Sequence, residues 1–252
     1  MVGKYSVMSK SKAERLDRLL SNLGYGSRKD VGHWIKEGLI TVDERPAKSP
    51  SQKVTAADVR IEGEALDHPN GLTVIYHKAT GSVCSHKETG LLIYADFPER
   101  WSDRKPPLSS VGRLDKETSG LLIITDDGHL NHHLTSPKHH ISKTYAVTLD
   151  TPLTGNEQAM FASGKLMLEG DERPCLPAEM TAVGEKEATL VLHEGRYHQV
   201  RRMFAAVGNH VTALTRSHIG HLSLEETGLA PGEYQTIEPE ALIKRVSPGQ
   251  EK

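Results

Sequence analysis

The stretch Val111-Gly-Arg-Leu-Asp-Lys-Glu-Thr-Ser-Gly-Leu-Leu-Ile-Ile-Thr-Asp-Asp-Gly128 carries the reading of the fold. It sets Arg113 and Asp115 two residues apart in a loop flanked by Gly112 and Gly120. The loop feeds the apolar run 121–124, which reads as a buried strand. A carboxylate at the mouth of a strand, beside a guanidinium, suits chemistry or binding, because rigid strands present working loops. An isolated loop Asp is more often a turn or capping residue, so Asp115 gains meaning only from the segments around it.

Downstream of that strand, Lys143-Thr-Tyr145 opens an alternating segment with Tyr145, Val147 and Leu149 on one face. Strands are expected over 72–77, 120–125, 144–149, 178–183, 188–193 and 211–215. Helices are expected over 129–134, 156–163 and 197–207, the last with Val200, Met203, Phe204 and Val207 on one stripe. Strands and helices do not alternate regularly, and no glycine-rich nucleotide loop is present, which argues against a Rossmann-like sheet. The class expected is α+β, with the main domain on a mixed, largely antiparallel sheet.

Upstream, Leu16, Leu19, Leu20 and Leu23 fall at helical spacing before Gly24. Ser27 is a good N-cap for a second helix carrying Val31, Trp34 and Ile35 and ending at Gly38. A short strand over 39–42 and a turn over 43–46 follow. Asp67-His-Pro-Asn-Gly71 is rich in turn formers and marks the boundary between domains. The expected division is a disordered leader at 1–12, an N-terminal domain at 13–66, a linker at 67–71, a main domain at 72–246 and a tail at 247–252.

Charge follows the same division. The chain of 252 residues has a net charge of −2, yet its first 60 residues hold 12 Lys and Arg against 7 Asp and Glu. A basic excess confined to the N-terminal quarter is what a phosphate-gripping module needs. Arg28 and Lys29 open the second helix, where cations oppose the helix dipole but would sit well against a phosphate. The apolar runs are too short to span a membrane. Two cysteines, Cys84 and Cys175, make no disulfide framework, which fits a reducing cytoplasm. The pairs His132-His133 and His139-His140 match no zinc spacing, so no metal is expected.

Gly112-Arg-Leu-Asp115, Lys143-Thr-Tyr145 and Glu194-Gly-Arg-Tyr-His-Gln-Val-Arg-Arg202 together resemble, in order and rough spacing, the motifs of pseudouridine synthases. The similarity runs from about Arg15 to Ile237 and is greatest to bacterial ribosomal RNA pseudouridine synthases with an extra N-terminal module. Arg15-Leu-Asp-Arg-Leu-Leu, Gly26-Ser-Arg-Lys29 and Lys36-Glu-Gly-Leu-Ile-Thr-Val42 resemble the alpha-L RNA-binding motif of ribosomal proteins. That resemblance implies RNA-facing roles for Arg15, Arg18, Ser27, Arg28, Lys29 and Lys36.

In the main domain it implies Asp115 as the nucleophile, with Arg201 as its salt-bridge partner. Tyr145 is implied to stack on the target base, and Arg113 to fill the space left when the nucleotide flips out. Lys143, Arg196 and Arg202 are phosphate contacts on this reading. Isomerisation balances bonds broken and made, so no cofactor is expected. The implied partner is ribosomal RNA, free or within a ribonucleoprotein assembly intermediate, with the enzyme a monomer and no membrane involved. Thr118-Ser119 before Gly120 points to the small-subunit (16S) branch rather than the large-subunit one. The segment 94–107, richer in charge and proline than that branch leads one to expect, leaves its loop contacts open. The rival readings are a large-subunit synthase, a non-catalytic RNA-binding assembly factor, and an N-glycosidic hydrolase acting on a nucleoside through Asp115.

Overall fold

The computed structural model describes residues 13–247. The leader expected at 1–12 and all but the first residue of the tail expected at 247–252 lie outside the described residues.

The leucines of the first segment do form a helix. After a short strand β1 (Glu14–Arg15), α1 (Leu16–Asn22) buries Leu16, Leu19 and Leu20. They meet Val31 of α2 (Arg28–Lys36) and Ile40 and Val42 of β2 (Ile40–Val42) in one small core. Ser27 begins α2 with a reciprocal cap: its hydroxyl accepts from the Asp30 amide at 3.3 Å, and the Asp30 carboxylate accepts from the Ser27 amide at 2.8 Å. The strands β3 (Arg45–Pro46), β4 (Lys53–Val54), β5 (Val59–Ile61) and β6 (Glu64–Ala65) complete the unit. The sheet order is β3-β2-β5-β6, with β1 paired separately to β4.

The expected linker is held firmly. The Asp67 carboxylate accepts from the Trp101 indole at 2.7 Å and pairs with Arg100. Burial pushes the Asp67 carboxyl up, but the Trp101 and Arg100 donors outweigh it and hold the group below the usual carboxylate range. The Asp67 amide donates to the Tyr25 hydroxyl at 2.8 Å, and the Arg100 guanidinium lies 4.6 Å from the centre of the Tyr25 ring. The segment 94–107 thus folds around two short 3-10 turns, Ile93–Asp96 and Glu99–Asp103, the second of which meets the N-terminal domain through Arg100. Its aromatic spacing explains this: Phe97 and Trp101 stack beside each other and both meet Tyr234 edge-on. Of its charged residues, Arg100 serves docking, while Arg104 is buried against Asp126.

The main domain is built on one nine-stranded sheet. Its strands are β7 (Thr73–Lys78), β8 (Ser109–Ser110), β9 (Thr118–Thr125), β10 (Lys143–Leu149), β11 (Glu179–Ala182), β12 (Glu187–Leu192), β13 (Val211–Ile219), β14 (Leu222–Ser223) and β15 (Tyr234–Thr236). The main path runs β11-β12-β10-β13-β9-β7-β15, with β8 on β9 and β14 on β13. The β9–β13 pairing is parallel and the others are antiparallel, the mixed sheet expected. The helices are α3 (Gly128–Thr135), α4 (Glu157–Ala162), α5 (Gln199–Ala206) and α6 (Pro239–Val246). Strand β9 is apolar throughout its centre because both of its faces are covered. Leu122 and Ile124 pack with Tyr76 and Trp101, and Leu121 and Ile123 with Leu130, Leu134 and Leu242. Each such side chain contributes about 1.5–3 kcal/mol.

One row across this sheet positions the site. Lys78 of β7 lies opposite Gly120 of β9, Gly120 opposite Arg216 of β13, and Arg216 opposite Tyr145 of β10. Directly opposed residues share a sheet face. Gly120 sits at φ +115°, and a Cβ there would stand 2.3 Å from the Arg216 carbonyl oxygen and 2.6 Å from its nitrogen. Only a residue without a Cβ allows β9 and β13 to approach this closely. Gly120→Ala should therefore lower stability by about 2 kcal/mol or more. Urea unfolding checks this, and an unchanged midpoint would contradict the assigned close approach.

Candidate active site

The Asp115 loop is held by its backbone. Leu114 is buried, and the Thr118 amide closes the turn by donating to the Asp115 carbonyl at 3.0 Å. The Lys116 carbonyl accepts from the Gly81 amide at 2.8 Å and from the Lys78 ammonium at 3.3 Å. Lys78 also donates to the carbonyls of Thr118 at 3.0 Å and Ala79 at 2.9 Å. Its side chain has no exposed surface, and burial lowers its pKa. The Asp115 side chain, 31% exposed, is left at the mouth of β9.

The expected Asp115–Arg201 salt bridge is not how the cation is placed. Arg201 donates to the carbonyls of Glu117 at 3.1 Å and Val211 at 2.9 Å, so its fork ties the Asp115 loop to the start of β13. The group facing the Asp115 carboxylate is His198, whose Nε2 lies 3.4 Å from Oδ1. His198 stands at φ +49° just before α5, and this left-handed turn directs its ring across to the loop. Tyr197 stacks flat upon it, with ring centroids 3.9 Å apart.

Arg196 and Arg202, expected at phosphates, are engaged internally. Arg196 pairs with Asp171 at 2.9 Å and Glu194 at 3.0 Å, and Arg202 pairs with Asp171 at 2.6 Å. They fasten the 169–174 loop to the start of α5, where Gln199 is buried and bonded to Glu194 at 2.7 Å. Fixing that turn is what fixes His198.

Tyr145 bridges two parts of the core. It packs against the cluster containing Val200, Met203 and Phe204, and against the one containing Leu114. Beside it, the Lys143 side chain makes no hydrogen bond or ion pair among the described residues; burial and then Arg216 lower its pKa. Arg216 is 3% exposed and donates through Nε to the Leu121 carbonyl at 2.8 Å. Its Nη2 is buried without a hydrogen-bond partner. Arg113 is exposed and paired with Glu88 at 2.8 Å.

In the N-terminal domain, Arg15 is engaged by Asp17 through two bonds of 3.0 and 2.6 Å, and Arg18 lies 3.8 Å from Glu14. The Ser27 hydroxyl is used by the Asp30 cap. Arg28, Lys29 and Lys36 are exposed, and their side chains make no hydrogen bond or ion pair among the described residues. No three His, Cys, Asp or Glu side chains converge as a metal site among the described residues.

Sequence reasoning missed Lys78, Tyr197, His198 and Arg216. Tyr197 and His198 lie inside the quoted 194–202 motif, so their residue types were the available signal. Lys78 was signalled only as a charge directly after an apolar strand. Arg216 fell in the polar stretch past the expected end of the strand at 215, where β14 pairing carries β13 on to Ile219.

Comparison with known proteins shows the family of both domains. The family profile described as RNA pseudouridylate synthase matches residues 72–206, and that of the S4 domain matches residues 14–59. Ribosomal small subunit pseudouridine synthase A of Pasteurella multocida (strain Pm70) is 38% identical, over 90% of this chain and 97% of its own. The protein of the same name from Escherichia coli (strain K12) is 37% identical, over 92% and 100%. A solved structure described as a crystal structure of pseudouridylate synthase superposes with a TM-score of 0.65 at 36% identity, covering 93% of this chain and all of its own.

The Asp171 network gives a pH test. Arg202 and then Arg196 hold the Asp171 carboxyl below the usual carboxylate range. A depressed carboxyl pKa contributes stability above the unfolded value, about 3.9, and loses it as pH falls through the folded value. Between about pH 5 and about pH 3, the Tm of the wild type should fall more steeply than that of Asp171→Asn. Equal slopes in thermal melts would contradict the network's role.

Proposed function

The chain belongs to the RNA pseudouridylate synthase family, and from that premise we propose that it converts a uridine of small-subunit ribosomal RNA to pseudouridine, with Asp115 as nucleophile. The observation that carries this reading is the Asp115 carboxylate held at the mouth of β9 by cation-to-carbonyl bonds, in the loop that follows Leu114, a member of the core cluster against which Tyr145 packs.

The reaction breaks the bond from ribose C1′ to uracil N1 and forms one from C1′ to C5. A proton leaves C5 and one is gained at N1, so the products balance without oxidant, nucleotide or metal. Asp115 adds covalently to the target nucleotide through its carboxylate and is displaced as the new bond closes. Tyr145 stacks on the loose base and keeps it in place while it turns. Arg216 and Lys143, on the same sheet face, offer positive charge to the carbonyl oxygens of the base, where negative charge grows as it detaches. Arg201 acts through the backbone of the Asp115 loop. Arg113 stands exposed beside the loop, free to enter the space of the flipped nucleotide at the cost of its Glu88 pair.

The S4 domain grips RNA, with Arg28, Lys29 and Lys36 as phosphate contacts on the exposed side of α2. The names of the curated relatives and Thr118-Ser119 in the nucleophile loop support small-subunit RNA as substrate.

The test incubates the protein with unmodified small-subunit and large-subunit ribosomal RNA, each with and without ribosomal proteins, and maps pseudouridine. A new site in small-subunit RNA is expected. Asp115→Asn should lower the rate on the order of 10⁴-fold or more while retaining RNA affinity. A new site confined to large-subunit RNA would overturn the substrate, an abasic site would indicate hydrolysis, and turnover by Asp115→Asn would remove its role as nucleophile.

A further inference from the structure

Tyr197 is 76% exposed, and it is the one aromatic among the large exposed apolar side chains of the described residues. An aromatic ring left this open loses its hydrophobic stabilisation unless something covers it. One face of the ring is covered by His198, at 3.9 Å between centroids and 14° between planes. His198 in turn reaches Asp115 at 3.4 Å. Asp115, the imidazole and the phenol ring therefore form a continuous series, with Tyr197 as its outer layer.

The backbone that carries the ring is anchored from within the protein. The Tyr197 carbonyl accepts from Arg202 Nη1 at 3.2 Å, and the Arg202 amide donates to the His198 carbonyl at 3.0 Å. Asp171 holds both Arg202 and Arg196, so the backbone on either side of Tyr197 is anchored. A rigid aromatic with a flat open face is suited to an unpaired nucleobase, and stacking of this kind contributes about 1–3 kcal/mol per base. A protein partner needs about 800 Å² on each side, far more than one ring supplies.

We propose that Tyr197, backed by His198, is a stacking platform for an unpaired RNA base neighbouring the target uridine. This rests on the reading of Asp115 as the site of uridine isomerisation. The platform gives affinity and register to the substrate strand rather than rate to the chemical step, because its outer face is separated from Asp115 by the imidazole.

Single-turnover pseudouridine formation on unmodified small-subunit ribosomal RNA, with protein in excess, tests the proposal. Tyr197→Ala should raise the protein concentration for half-maximal rate about tenfold and leave the saturated rate within about twofold. Tyr197→Phe, which keeps the ring, should behave as wild type. An unchanged half-saturation in Tyr197→Ala would overturn the platform. So would a collapse of the saturated rate with unchanged half-saturation, which would make Tyr197 a brace for His198 instead. Should the wild type form no pseudouridine in any ribosomal RNA, the enzymatic reading fails by itself. Binding of an oligouridylate against its abasic counterpart then decides the platform: it stands only if Tyr197→Ala abolishes the preference for the base-bearing strand.

Discussion

Lys78 carries an ammonium group with no exposed surface and sets it against the carbonyl oxygens of Ala79, Lys116 and Thr118. Removing a charge from water costs several kcal/mol unless its protons are satisfied. The three carbonyls satisfy them, and in return the loop that bears Asp115 has its backbone fixed on both sides of Glu117. Arg201 takes the Glu117 carbonyl from the other direction. The loop is thus gripped by two cations from two elements, β7 and α5, and the carboxylate itself faces His198 rather than either of them.

The same economy governs the opposite wall. Arg196 and Arg202 carry the residue type that phosphates favour, yet their hydrogen bonds go to Asp171, Glu194 and nearby carbonyls. What they secure is the left-handed turn at His198 and the open ring of Tyr197. Cations that remain uncommitted lie elsewhere: Arg28, Lys29 and Lys36 on the S4 domain, and Lys143 beside Tyr145. The clasp of Asp67, Arg100 and Trp101 ties the S4 domain to the main domain, so α2 with its exposed cations and the Asp115 loop belong to one connected structure.

Most of the fold was legible because its signals are local. Leucine spacing gave α1, Ser27 and Gly38 bounded α2, and the apolar run at 121–124 gave the centre of β9. One sheet edge, β11, lies within the strand expected at 178–183, but the other was not legible: β15 is short and polar at Gln235, and α6 begins at a proline that reads equally well as a loop. Strand β13 continues through Arg216-Ser-His218 because pairing partners hold it, and no periodicity reports a partner. The site divides in the same way. The residue types of Asp115, Tyr145 and Arg201 could be read from motifs, whereas the partner of each could not. Sequence order places Arg201 beside His198 but is silent on which of the two side chains turns towards Asp115. Lys78 lies 37 residues upstream of Asp115, and only the β7–β9 register brings it beneath the loop.

Replacing Lys78 with methionine tests this account most directly, because it keeps the length of the side chain and removes the protons that hold the loop. The measurement is the single-turnover rate at saturating protein on small-subunit ribosomal RNA, with folding followed by circular dichroism. A folded Lys78→Met chain should bind RNA within about threefold of wild type and lose on the order of 10²-fold in saturated rate, the scale expected when a reacting group shifts by about 1 Å. A folded variant with the wild-type saturated rate would contradict the claim that Lys78 sets the position of Asp115.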